Sequence, residues 1–314
     1  MLRTPARRAA CALAFLVAVL TGCVVPAGSD RGLPVGRFAV TLDFDGTALE
    51  VFTYKPTGWR GERMLFVMHG TLRNASEYRD DAVAMAERFG MLVVAPYFDK
   101  DRFPSRRYQF GGLRDESGTA LPQEQWTYAF VPRIATRVRE LEARPALPYW
   151  IIGHSAGGQF VARMSAFQDT GAVRLIAANA GSHLFPSDDL PFGYGFGDLP
   201  DALRGDARLQ RYLSQPLTIY LGTADDHPDE YFDGSATAMK QGGGRLQRGR
   251  ECFARAEALA RERNWTFGWT LVEAEGVEHD HTKMFDHPAC ERALFGARIA
   301  APADVAQLNS TGRP

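Results

Sequence analysis

Pro148-Tyr149-Trp150-Ile151-Ile152-Gly153-His154-Ser155-Ala156-Gly157-Gly158-Gln159-Phe160-Val161 is the stretch on which the reading of this chain turns. Its first five residues form an apolar run, as expected for a strand buried on both faces. From Gly157 onward the pattern opens a helix. Between them lies Gly-x-Ser-x-Gly, a weak signal alone but an informative one at a strand-to-helix corner. Such a corner lifts a serine Oγ above a sheet, and glycines two residues on either side are needed because a Cβ would clash in so sharp a turn.

A serine hydroxyl needs a base, and the base needs a carboxylate to orient it. In this architecture the chain order is Ser, then Asp or Glu, then His. Downstream of Ser155, the run Leu217–Leu221 leads through Gly222-Thr223-Ala224 into Asp225 and Asp226, with Asp229 close behind. Farther on, Leu271–Ala274 leads into Glu275-Gly276-Val277-Glu278-His279-Asp280-His281. Both clusters follow strands, so a site at the carboxyl edge of a sheet could use them. Asp225 is preferred because it comes soonest after its strand. His279 is preferred over His281 because its loop is shorter. His69, His154 and His287 read as structural. Donors for a developing oxyanion are expected from the backbone N–H groups of Ala156 and Thr71, the latter in Val67-Met68-His69-Gly70-Thr71.

The flanking pattern alternates strands and helices. Arg37–Phe44 and Ala48–Tyr54 read as a hairpin around Asp45-Gly46. Strands are predicted at Met64–Met68, Met91–Pro96, Tyr149–Ile152, Leu175–Ala180, Leu217–Leu221 and Thr266–Ala274. Helices are predicted at Ser76–Phe89, Gln123–Leu141, Gly157–Phe167, Arg250–Arg263 and Pro288–Phe295. This alternation argues for an α/β fold with a mostly parallel central sheet and helices on both faces.

Together these residues resemble the α/β-hydrolase superfamily over about residues 37–296. His69–Ala75 with Tyr78, Gly153–Gly158, Gly222–Asp225 and Gly276–Phe285 are similar to secreted esterases related to polyhydroxybutyrate depolymerases and feruloyl esterases. In that group the histidine of a G-x-x-H segment followed by Met-Phe is catalytic. Gly276–His279 and Met284-Phe285 fit that pattern, although Glu278 departs from the small residue often found there and keeps His281 open. The resemblance implies a serine carboxylesterase working through an acyl-enzyme on Ser155, Asp225 and His279, with no metal and no cofactor. A peptidase or acyltransferase on the same residues, or a non-catalytic binding protein with this fold, are the other readings. A metal hydrolase using Asp225, His227, His279 and His281 lacks any recognised ligand spacing. Two aromatic loops, 97–118 and 182–200, are placed to wall a pocket or to pack themselves down. Arg73 is positioned either to meet an anionic substrate or to form a surface ion pair.

The N-terminus speaks to location. Arg3, Arg7 and Arg8 precede an apolar run from Ala9 to Leu20, short for a membrane span but suited to a signal peptide. It ends in Leu20-Thr21-Gly22-Cys23, which resembles the bacterial lipoprotein signal and implies residues 1–22 as signal and Cys23 as the lipid-bearing residue. Val24, in place of aspartate, favours the outer membrane. Residues 23–36 then read as a tether and 297–314 as a loose tail. Without the three arginines of the signal, 33 basic residues face 37 acids, a formal charge of about −4. There is no basic run to suggest a nucleic-acid partner. The expected partners are an ester substrate, small or oligomeric, and a membrane met through the lipid. In an oxidising envelope Cys252 and Cys290 are expected to form a disulfide. Replacing Cys23 with alanine should move the protein from the membrane pellet to the soluble fraction; unchanged partitioning would count against acylation.

Overall fold

The computed structural model describes residues 32–296. The signal, the lipid-bearing Cys23, most of the tether and the tail lie outside the described residues. Along the chain come β1 (Gly36–Phe44), β2 (Thr47–Lys55), β3 (Met64–Met68), α1 (Ala75–Asp81), α2 (Val83–Phe89), β4 (Leu92–Pro96), α3 (Phe130–Leu141), β5 (Tyr149–His154) and α4 (Ala156–Phe167). There follow β6 (Arg174–Ala178), α5 (Asp206–Ser214), β7 (Leu217–Gly222), α6 (Ala236–Met239), α7 (Arg245–Glu262), β8 (Thr270–Ala274), α8 (His281–Asp286) and α9 (Ala289–Phe295). One sheet runs in the order β1-β2-β4-β3-β5-β6-β7-β8. The β1–β2 hairpin is antiparallel and joins β4 antiparallel, while every pairing from β4 to β8 is parallel. The carboxyl ends of β3, β5, β7 and β8 therefore share one edge, and a site can be assembled there from distant parts of the chain.

The strands alternate their side chains between two cores. Ile151 and Leu221 join the core that takes in α3, α4 and α7, while Ile152 and Tyr220 join the one that takes in α1, α2 and α9. Polar groups pin α8 and α9 to the second face: Trp150 Nε1 donates to Leu294 O at 2.9 Å, and Tyr220 Oη to Met284 O at 2.9 Å.

Differences from the expected elements have physical causes. The helix predicted over Ser76–Phe89 is two helices meeting at Ala82. At that joint Asp80 is held by Arg37 and Arg79, and Asp81 by His281. The helix predicted from Gln123 becomes regular only at Phe130, after two short 3-10 turns. Pro132 lies in its first turn, where the missing N–H does no harm but where a longer helix would clash. The final strand begins at Thr270 rather than Thr266. The residues before it dock on α5, which the pattern did not reveal: Gly268 N donates to Leu213 O at 2.8 Å and Trp269 Nε1 to Tyr212 O at 3.0 Å.

The expected disulfide is absent, for Cys252 and Cys290 are both free and buried. The sheet itself separates them. Cys252, on α7, packs in the core with Ile219 and Leu221, whereas Cys290, on α9, packs on the opposite face with Ile152 and Tyr220. Burial pushes both thiols up, that of Cys290 to about 12. Three histidines are buried as neutral rings: His69, His154 and His183. Burial lowers all three, His69 and His183 to about 3.

Both observations can be measured. In the native protein neither thiol should react with a disulfide reagent, and a reductant should leave the thermal midpoint unchanged. For the histidines the folded pKa lies below the unfolded value, so the unfolded chain takes up protons first as pH falls. Their contribution is intact above about pH 6.5 and is lost from there toward about pH 3. The urea midpoint should therefore drop as pH falls from 7 to 5, with each buried ring contributing about 1.4 kcal/mol per pH unit at most.

Candidate active site

Ser155 sits between β5 and α4 with φ 57° and ψ −117°, a conformation that costs a non-glycine residue about 1–3 kcal/mol. The surroundings hold it there. Ser155 N donates to Ala178 O at the end of β6, at 3.0 Å, and Gln159 N returns to Ser155 O at 3.0 Å. A Cβ on Gly157 would lie 2.1 Å from Met68 O, and one on Gly153 would lie 2.3 Å from Gly157 O. Both glycines are therefore required by the close passage of α4 over β3 and β5. Among the described residues, neither the Ala156 nor the Thr71 N–H is taken by a backbone or side-chain acceptor. Gly70, beside Thr71, is also sterically fixed, since a Cβ there would lie 2.6 Å from Tyr78 Oη.

The loops after β7 and β8 are laced together before either reaches the serine. Thr223 N donates to Ala274 O at 2.9 Å, Ala224 N to Val277 O at 3.0 Å, and Gly276 N to Thr223 Oγ1 at 2.8 Å. Asn179, after β6, receives Gly222 N on Oδ1 at 2.7 Å and donates through Nδ2 to Glu278 O at 3.0 Å. This lacing brings Asp225 Oδ2 to 2.8 Å from His279 Nδ1. Because a carboxylate only accepts, Nδ1 carries the hydrogen, and in the neutral ring Nε2 keeps its lone pair free. Asp225 is 3% exposed, and its other oxygen accepts from Arg245 Nη1 at 3.1 Å. Arg245 is itself held by Asp229 through bonds of 2.8 and 2.7 Å. Burial raises Asp229, but these bonds overcome it and hold the carboxyl below its usual range.

The competing residues are engaged elsewhere. Asp226 is exposed and meets His227 at 2.5 Å. His281 Nε2 meets Asp81 at 2.6 Å, and its ring stacks on Tyr78 at 4.0 Å between centroids. The imidazoles at 227, 279 and 281 thus each face a different carboxylate, and the four metal-ligand candidates do not converge. Among the described residues, the group whose ligand atoms lie within 4.8 Å of one another is Glu77, Asp81 and His281. His154 packs under His279 with ring centroids 4.6 Å apart, its Nδ1 3.3 Å from Tyr78 Oη. His69 is walled in, receiving Phe98 N on Nε2 at 3.2 Å, and His287 receives Ala289 N at 3.1 Å.

Ser155, His154, His279, His281, Thr71 and Gly70 share a cavity of about 340 Å³. The aromatic loops do not wall it. Phe98, Phe103, Tyr108, Phe185 and Phe196 are buried in the main core. The loop from Ser182 is pinned from below by Arg163, which donates to Ser182 Oγ at 2.8 Å and Gly193 O at 2.5 Å. Arg73 also faces inward, donating to Phe98 O at 3.3 Å and Phe103 O at 3.0 Å, with its guanidinium 4.1 Å from the Tyr108 ring centre. Sequence reasoning missed Asn179 and Arg245. No motif marks either; Asn179 is an ordinary strand-end residue until the sheet brings three loops to it.

No protein-family model and no curated protein matches the chain. Among solved structures, poly(aspartic acid) hydrolase-1 from Sphingomonas sp. KT-1 is 35% identical with a TM-score of 0.75, over 80% of this chain and 96% of that one. The poly(3-hydroxybutyrate) depolymerase from Bordetella parapertussis is 30% identical with a TM-score of 0.77, over 88% of this chain and 95% of that one. With identities and coverage at these levels, and an eight-stranded, mostly parallel sheet between helices, the chain belongs to the α/β-hydrolase family, among its hydrolases.

Proposed function

We propose that the protein is a serine hydrolase of carboxylic esters, with Ser155 as nucleophile, His279 as general base and Asp225 as its orienting acid. The observation that carries this reading is the 2.8 Å contact of His279 Nδ1 with buried Asp225, together with the cavity that His279 lines beside Ser155 on its strained corner. Ser155 Oγ attacks the ester carbonyl carbon while His279 Nε2 takes its proton. The carbonyl oxygen becomes an oxyanion held by the N–H groups of Thr71 and Ala156. Collapse breaks the bond to the alcohol, which leaves with the proton from His279. Water then attacks the acyl-enzyme, again through His279, and releases the acid and free Ser155. Asp225 keeps its negative charge throughout, stabilising the imidazolium, and Arg245 holds that carboxylate in place.

An ester substrate is supported by the likeness to the poly(3-hydroxybutyrate) depolymerase, an enzyme named for a polyester. The likeness to the poly(aspartic acid) hydrolase favours a second reading, hydrolysis of an amide by the same residues. Parallel assays on esters and peptide amides separate the two. The N-terminal pattern supports placing this activity in the cell envelope, on a domain tethered through Cys23. Ser155→Ala should abolish labelling by a fluorophosphonate and hydrolysis of p-nitrophenyl butyrate. Asp225→Asn should retain the fold and lower kcat by about 10⁴-fold. His279→Ala should be as inactive as Ser155→Ala, and His281→Ala far less affected. Undiminished labelling of Ser155→Ala would overturn the assignment.

A further inference from the structure

Acids and exposed apolar side chains stand among the groups that border the cavity over Ser155, and among the described residues no lysine or arginine lines it. Glu77, Asp229 and Glu230 line it. An adjoining hollow of about 590 Å³, reached past His279, adds Glu278 and Asp280. Some of these charges are balanced locally. Asp229 carries the two bonds from Arg245, and Asp280 has Lys283 Nζ at 3.6 Å. Glu77, Glu230 and Glu278 are exposed and have no lysine or arginine partner among the described residues; Glu77 lies beside His281, which is itself paired with Asp81. The contact of Glu77 is with a neutral amide, Asn74 Nδ2 at 2.6 Å. The buried arginine nearest in sequence, Arg73, turns its guanidinium away toward Phe98 and Phe103.

The same mouth exposes apolar surface. Leu72 is 57% exposed and Tyr231 48% exposed, and both line the cavity. A carboxylate adjacent to an exposed aromatic ring, as in Glu230-Tyr231, is suited to an alkylammonium group, which gains from both the charge and the ring face. His154 completes the inner wall with a neutral ring whose Nε2 has no partner. Among the described residues, a substrate carboxylate would find no lysine or arginine lining either hollow to offset the cost of leaving water.

We propose that this cleft selects esters bearing a positive charge beside an apolar segment and discriminates against anionic ones, with Glu77 and Glu230 as the specificity-determining side chains. The proposal rests on Ser155 being the nucleophile. Acids of one sign around a concave mouth raise the local concentration of cationic substrate and repel anions, an effect of about tenfold or more that fades with salt.

The test uses the p-nitrophenyl esters of γ-trimethylammoniobutyrate, of valerate and of glutarate as its monoester, which share a leaving group and differ in charge. At low ionic strength kcat/KM should favour the cationic over the anionic ester by about tenfold or more, and high salt should narrow the gap. The double variant Glu77→Gln, Glu230→Gln, which removes charge at constant volume, should bring that ratio several-fold closer to one. A wild-type ratio near or below one overturns the proposal, and so does a ratio that the double variant leaves unchanged. In either case fluorophosphonate labelling at Ser155 shows that the nucleophile assignment stands. Loss of that labelling in the wild-type protein would overturn both readings together.

Discussion

The backbone of Gly157 passes so close to Met68 O that a single methyl group would lie 2.1 Å from it. Almost every other feature of the site depends on that approach. It sets the start of α4 directly over the end of β3, and the turn between β5 and α4 must then bend sharply enough to put Ser155 in the left-handed half of backbone space. Glycines at 153, 157 and 158 make the bend sterically possible. The bond from Ser155 N to Ala178 O holds it in place. The strain at the serine is small beside the burial of both sheet faces, so the packed sheet can impose a conformation that an isolated peptide would reject.

Around this corner the site is built from backbone hydrogen bonds more than from side chains. The loops after β7 and β8 are tied to each other and to Asn179 before Asp225 meets His279. Arg245 then binds two carboxylates at once, which fixes the direction of the nearly water-free Asp225 side chain. The imidazole is left with one nitrogen committed and one free. His154 and Tyr78 fill the space behind it with uncharged groups. A buried, hydrogen-bonded interior therefore faces a mouth to which Glu77, Asp229 and Glu230 contribute acids.

Much of this was legible in the chain itself. The apolar runs gave the five strands β3 to β7 to within about two residues, because a strand buried on both faces has no polar interruption to blur its ends. Asp225 and His279 could be proposed from their distance past a strand. Short helices such as α5 and α8 escaped because six to nine residues carry too little periodicity. The aromatic loops and Arg73 were ambiguous for a related reason: composition does not say whether a ring or a guanidinium turns toward a cavity or into the core.

By itself, the sequence determined the order of elements, the glycine-flanked corner and the types of residue available at each strand end, since these follow from local sterics and periodic hydrophobicity. Only the tertiary structure decided pairing. It put His279 rather than His281 on Asp225, gave His281 to Asp81, and set Cys252 and Cys290 on opposite faces of the sheet. Those outcomes depend on which strand lies beside which and on the side to which each residue points, and such relations between distant segments exist only once the sheet has closed over its two cores.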